Sequence, residues 1–263
     1  MFFLNLQGRN LTMIKGAAKV LRRNLIVFKK TWLTSMAFYF VEPLLYLSAM
    51  GLGLGTFVGD INGLSYTQFI APGIIASSAM WTAASESTYD SFVKMHYGKI
   101  YHAMVAAPLF IEEVILGEVL YAALKAVIFG SIILLLITAF GYVLSPWALL
   151  VPPVLLLAGC VFALLGLIWT GLVPNIDTFS FFFTLMITPM FLFSGVFFPI
   201  TNLPEYIQTV AWLLPLFHIV VLLRSLIFGQ VGFFLLTHVT VLILMILALS
   251  PFPRIFIKKK MGI

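Results

Sequence analysis

Long unbroken apolar runs dominate this chain and leave few folds open to it. From Leu33 to Ser250 one apolar stretch follows another, separated only by short polar or turn-rich segments. A membrane hydrocarbon core about 30 Å thick needs about 20 apolar residues in a helix rising about 1.5 Å per residue. The runs do not alternate with period two, which excludes an outer-membrane barrel. Of 263 residues, 62% are hydrophobic and 9% charged. A soluble domain carries about 45–50% apolar and about 25% charged residues. A water-soluble globule is therefore excluded, and so is a disordered chain, which requires low hydrophobicity and high charge. The remaining fold class is an all-α polytopic membrane protein.

The runs predict six transmembrane helices over residues 33–57, 66–89, 111–139, 147–172, 178–198 and 231–252, in a single domain covering 1–263. Residues 1–32 carry seven basic residues and no acid. Leu11, Ile14, Ala18, Leu21, Leu25, Phe28 and Trp32 recur there at helical spacing. That pattern predicts an interfacial amphipathic helix. The apolar run that follows is too long for a signal-peptide core, so no cleavage is expected. Residues 199–229 are apolar but broken by Pro199, Pro204, Pro215 and Gly229. They predict re-entrant half-helices, because broken helices at membrane depth need protein or water to satisfy their backbone.

Charge sets the orientation. Both tails and the 90–110 loop hold thirteen of the fifteen Lys and Arg residues, as seven, two and four. The positive-inside rule makes that side cytoplasmic. The net charge of +6 therefore reflects orientation and anionic lipid, not nucleic acid. Asn10-Leu11-Thr12 is a glycosylation sequon on that same side and is expected to be inert. The single cysteine, Cys160, excludes an intramolecular disulfide framework and any multi-cysteine metal site. There is no G-x-x-x-x-G-K-[ST] and no H-E-x-x-H, so neither nucleotide binding by a P-loop nor a zincin site is encoded. Gly51 and Gly55 in Gly51-Leu52-Gly53-Leu54-Gly55 suit close helix packing.

Charges within the bilayer are functional candidates by default. Glu42, followed by Pro43, lies well inside the first span. Its carboxylate faces either a polar pathway or dimer interface, or a structural partner such as Lys125. Glu86, Glu118 and Lys125 form either a charge-neutralising network between helices or a proton relay. The 90–108 segment, with Lys94, His96, Tyr97, Lys99, Tyr101 and His102, reads either as a solvated loop or as a short amphipathic helix that docks a partner. Arg224 either snorkels to lipid phosphate or meets an anionic substrate group. His218 and His238 read as packing or hydrogen-bonding residues. Tyr39, Tyr46, Trp81, Trp169 and Trp212 are candidates for stacking on a glycan.

Ile187-Thr188-Pro189-Met190, Ser194 to Pro199, Leu203-Pro204 and Leu214-Pro215-Leu216 resemble the signature of the ABC-2 permease family, the membrane subunits of type-2 ABC exporters. Val41-Glu42-Pro43-Leu44, Ala71-Pro72-Gly73, Gly117-Glu118 with Lys125, and Arg224 resemble its lipo-chitooligosaccharide-exporting, nodulation protein J group. The resemblance implies a permease in the bacterial inner membrane with no ATPase of its own. It implies a homodimer served by two copies of a separate ABC ATPase that carries ATP and magnesium. The 90–108 segment would contain a coupling helix. A pathway between the two copies would include Glu42, Tyr46, Tyr39 and Trp81. The hairpin bearing Pro199, Pro204 and Arg224 would close the outer mouth. The implied cargo is an amphipathic lipid-linked or acylated glycan. Export of a hydrophobic drug or lipid, or proton-coupled transport without an ATPase, are the alternatives.

Overall fold

The computed structural model describes residues 2–61 and 63–262, with side chains of residues 2–12 and Phe38 excepted. Asn62, in the turn expected over 59–63, lies outside the described residues, and so do the side chains of Arg9 and the sequon. The described residues are overwhelmingly helical, with a single antiparallel bridge between Ile61 and Leu64. In chain order the helices are α1 (Phe2–Tyr39), α2 (Val41–Ser48), α3 (Tyr66–Ser85), α4 (Ile100–Ala106), α5 (Ile111–Ala139) and α6 (Val151–Leu172). They continue as α7 (Phe179–Phe182), α8 (Thr188–Phe193), α9 (Glu205–Ala211), α10 (Pro215–Phe228), α11 (Phe234–Leu249) and α12 (Pro251–Met261).

Five helical stretches are long and apolar enough to cross a membrane, or six if the bent pair α9–α10 counts as one span. α3 is not among the five, yet it is the centre of the fold. Residues 71–80 are buried without exception, enclosed by α1, α5, α6 and α10. A helix shielded from lipid by other helices can carry Ser77, Ser78, Thr82 and Glu86, all buried. Its start is fixed by a capping box in which the Ser65 hydroxyl accepts from the Gln68 amide and the Gln68 side chain accepts from the Ser65 amide.

α1 differs from the expected separate interfacial helix. It runs without a break through residues 32 and 33 and packs along α5. Ala17 and Val20 lie on Gly117, Asn24 reaches Glu118, and Phe28 meets Tyr121 and Phe129 edge-on. No glycine or proline lies between Lys29 and Leu33 to end the helix. The break comes instead at Phe40, where Pro43 cannot donate to the Tyr39 carbonyl. The Ser78 hydroxyl of α3 donates to that carbonyl at 3.3 Å. A sequence-local defect is thus repaired by a tertiary hydrogen bond.

Contacts sort the helix ends onto two sides. On one, Arg254 and Lys258 reach Glu112 at 2.7 and 3.3 Å. Lys260 donates to the carbonyls of Thr170 and Val173 at the end of α6, where the helix dipole favours a cation. On the other, the Leu144 amide donates to the Ile227 carbonyl at 3.1 Å. Gly51 also lies against Thr67 there, so closely that a Cβ would sit 2.7 Å from its methyl. Residues 199–229 form the short 3-10 turn Ile200–Asn202, then α9 and α10, which meet at 88°.

Candidate functional site

α1, α2, α3 and α8 enclose a cleft of about 550 Å³. Tyr39, Glu42, Tyr46 and Trp81 all line it, so the four residues singled out for a pathway converge on one place. Glu42 and Tyr46 reach the cleft from α2, just past the helix break at Phe40. Ser77, Ser78, Ser85 and Asp90 supply further polar groups. Aromatic rings, with Pro43 and Ile74, form the rest of the wall. Trp81 stacks on Phe183 with centroids 5.4 Å apart, Tyr89 stacks on Phe183 at 5.5 Å, and Tyr46 meets Phe191 edge-on at 5.7 Å. Glu42 is exposed and has no ion-pair partner among the described residues. It is not paired with Lys125, which lies elsewhere.

Lys125 pairs with Glu86, and both are buried. Its ammonium also faces the rings of Tyr39 at 4.8 Å and Phe28 at 5.3 Å. Glu118, seven residues before Lys125, is engaged differently. It accepts from Lys94 at 2.9 Å and from the Asn24 amide at 3.0 Å. Lys94 also reaches Asp90 at 2.6 Å and approaches Glu86 at 3.9 Å. Burial works against the charge of Lys94, but Glu118, Asp90 and Glu86 together hold its ammonium well above the ordinary lysine range. The result is one connected cluster of two lysines and three acids, carried by α5 and by the residues that follow α3, and joined to α1 through Asn24.

This arrangement corrects the coupling surface expected of the 90–108 segment. Lys94 is buried in the charge cluster and Tyr101 is fully buried, so neither faces outward. The reason is that the segment is not a loop. The helix of α3 continues through two π-helical turns, Glu86–Asp90 and Val93–Tyr97, which keeps Asp90 and Lys94 one turn apart on the inner face. Gly98 and the left-handed Lys99 (φ 49°) then reverse the chain into α4. His96, Tyr97 and Lys99 remain exposed and His102 half-buried. The spacing Glu86, Asp90, Lys94 was the available signal for this continuation, because residues four apart share a helix face. Asn24 had no comparable signal.

Arg224 also departs from expectation, because it does not snorkel. Its guanidinium lies 4.0 Å from the centre of the Phe69 ring. It donates to the carbonyls of Phe69 at 3.2 Å and Gly195 at 2.9 Å. Gly195 adopts φ 78°, a conformation that glycine reaches without strain and that exposes its carbonyl to Arg224. Arg224 therefore joins α10, α3 and the turn after α8. Next to it, Val196 lies so close to Gly73 that a Cβ there would sit 2.9 Å from its Cα. Pro199 and Pro204 precede the 3-10 turn and α9. His218 and His238 hydrogen-bond each other through Nδ1 at 2.7 Å, and His218 Nε2 reaches the Trp212 carbonyl at 2.8 Å. They tie the hairpin to α11. Lysine at 224 keeps the charge but loses the planar guanidinium that lies over the Phe69 ring. Arg224→Lys is expected to lower the thermal midpoint of the purified protein by several degrees, and Arg224→Ala by more. Unchanged midpoints in both would remove its role as a clamp.

Comparison with known proteins agrees with this architecture. The ABC-2 type transporter family matches residues 18–228. The chain belongs to the ABC-2 type transporter family. It is 39% identical to nodulation protein J of Rhizobium leguminosarum bv. trifolii, over 86% of this chain and 87% of that protein. It is 35% identical to nodulation protein J of Sinorhizobium fredii, over 89% and 88%. It is 27% identical to the inner membrane transport permease YadH of Escherichia coli, over 73% and 75%. No solved structure matches the chain. The protein is thus a membrane-embedded ABC-2 permease similar to nodulation protein J.

Proposed function

We propose that this chain is the transmembrane subunit of an ATP-driven exporter that moves an amphipathic lipid-linked or acylated glycan out of the cytoplasm. Two copies form the pathway, and two copies of a separate ABC ATPase bind below and supply ATP and magnesium. The subunit sits in the bacterial inner membrane with both termini cytoplasmic. No bond is made or broken on this chain. Its task is to present two conformations with different affinity for the cargo.

The observation that carries this reading is the cleft. Ligand sites combine apolar and aromatic walls with a few polar groups that fix orientation. Here the rings of Tyr46, Trp81, Tyr89 and Phe191 surround an exposed carboxylate, Glu42, and a row of serines. Aromatic faces suit acyl chains and the apolar faces of sugars, and a carboxylate accepts from sugar hydroxyls. His96, Tyr97 and Lys99, with the partly exposed His102, form the ATPase-facing surface, while the cluster of Glu86, Asp90, Lys94, Glu118 and Lys125 ties that surface to the span. The hairpin carrying Pro199, Pro204 and Arg224 closes the outer mouth.

Glu42→Gln tests the cleft. The variant is isosteric and Glu42 is exposed, so folding is expected to be unaffected. Transport of the glycolipid in vesicles is expected to fall about tenfold, the effect of losing about 1.4 kcal/mol of cargo interaction. Full transport by a well-expressed variant removes Glu42 from the pathway.

A further inference from the structure

The pathway leaves one buried pair of titratable groups unused. His218 of α10 and His238 of α11 are both buried, and their Nδ1 atoms lie 2.7 Å apart. His238 sits one turn past Phe234, the start of α11. It is therefore at the opposite end of the Phe234–Met261 stretch from that stretch's lysines.

Hydrogen bonding fixes where the protons are. The Trp212 carbonyl can only accept, so His218 Nε2 carries a hydrogen and donates it at 2.8 Å. A neutral imidazole has a single N–H. His218 Nδ1 is therefore bare and accepts, and His238 Nδ1 donates to it. That leaves His238 Nε2 as the free basic atom of the pair. The chain gives it no hydrogen-bond partner, and it is not enclosed.

The two protonation steps then differ. The first proton goes to His238 Nε2 and breaks nothing. His238 Nδ1 still donates to His218, now in a charge-assisted bond. Trp212, stacked on the His238 ring at 5.4 Å, offers the cation an aromatic face. The second proton has only His218 Nδ1 to take. It turns the acceptor into a donor and sets two N–H groups and two positive charges against each other across 2.7 Å. No carboxylate compensates, because neither imidazole has an ion-pair partner among the described residues. The titratable groups on the elements packed against α10 and α11 are Tyr66 of α3, Cys160 of α6, Arg224 of α10 itself, and Arg254 with the three lysines of α12. Glu205, at the far end of α9 from Trp212, is exposed.

We infer that His218 and His238 form a proton-operated latch. It holds α10 of the hairpin against α11 with no added proton or with one, and releases it with two. Any consequence for transport rests on the exporter reading above; the latch itself does not.

Leu235, on the same face of α11 as His238, is 7% exposed, whereas its neighbour Leu236 is 61% exposed. The test uses the full-length protein in nanodiscs with Cys160→Ala. Maleimide labelling of Leu235→Cys is measured relative to Leu236→Cys at each pH, so that the pH dependence of the thiol reaction cancels. From about pH 7.5 to about pH 4.5, across the ordinary histidine value of about 6.5, the ratio is expected to rise several-fold. In His238→Gln it is expected to stay flat, because an amide turned over accepts from a protonated His218. Nitrogen NMR of the imidazoles in the unaltered protein decides the matter should His238→Gln fail to fold. There His238 is expected to gain its proton first, with the bond between the histidines intact. An unchanged ratio, an equal rise in His238→Gln, or release at the first proton overturns the proposal.

Discussion

Lys125→Met is expected to be one of the most destabilising single changes in this protein. Glu86 would remain buried with its principal partner gone. Breaking a buried pair by removing one member costs about 3–5 kcal/mol, because the other charge is left uncompensated. Lys94 approaches Glu86 only to 3.9 Å and is already committed to Asp90 and Glu118 at 2.6 and 2.9 Å, so it cannot substitute. The double variant Glu86→Gln/Lys125→Met removes one charge of each sign and keeps the balance of the cluster. Methionine suits the space between Tyr39, Phe28 and Tyr121, since its flexible thioether packs well on aromatic rings. Thermal midpoints from size-exclusion profiles check this. The single variant should be lost or shifted far down and the double should recover most of the shift. A double variant as unstable as the single would mean that Lys125 acts through some interaction other than Glu86.

Gly159→Leu is expected to have a comparable effect by a different route. α5 and α6 form the most extensive helix pair in the fold, and they approach through this glycine. A Cβ at 159 would sit 2.5 Å from the Cα of Ala123. Backbone cannot rotate away as a side chain can, so the helices must separate along their length. Overpacking a close-packed site costs about 1–3 kcal/mol, and more when backbone has to move. Gly159→Ala should show a smaller loss in the same direction. Gly53→Leu is the control, because nothing lies within 4 Å of its Cβ position. Equal stability of the 159 and 53 variants would show that the α5–α6 approach is looser than described.

The sequence announces some of this architecture directly and conceals the rest for physical reasons. A span that faces lipid is legible because lipid demands apolar side chains, as α11 shows. α3 is legible only as a run of moderate hydropathy, because helices surround it and its composition reports protein, not lipid. The kink at Pro43 is readable from one residue, but the hydroxyl of Ser78 that repairs it is not. In the charge cluster, Glu86, Glu118 and Lys125 stand out as charges in apolar runs. Which of them pair is decided by helix packing, so Glu118 was as plausible a partner for Lys125 as Glu86. Lys94 and Tyr101 looked outward-facing, whether in a solvated loop or on a docking helix, because the segment 90–108 is polar overall, although its helical continuation buries one face. Arg224 looked like a snorkelling residue because its acceptors are two backbone carbonyls, which carry no sequence signature. For the cleft, the aromatic and acidic residues were visible one at a time, and the fold supplied their convergence.

We propose that this permease works with a separate ATPase to export an amphipathic glycan. The most direct measurement is gentle purification of the protein from native membranes, with mass spectrometry of everything that accompanies it. A P-loop ATPase is expected in equal stoichiometry, together with a retained acylated or lipid-linked glycan. An intact oligomer that repeatedly arrives without any ATPase would contradict it.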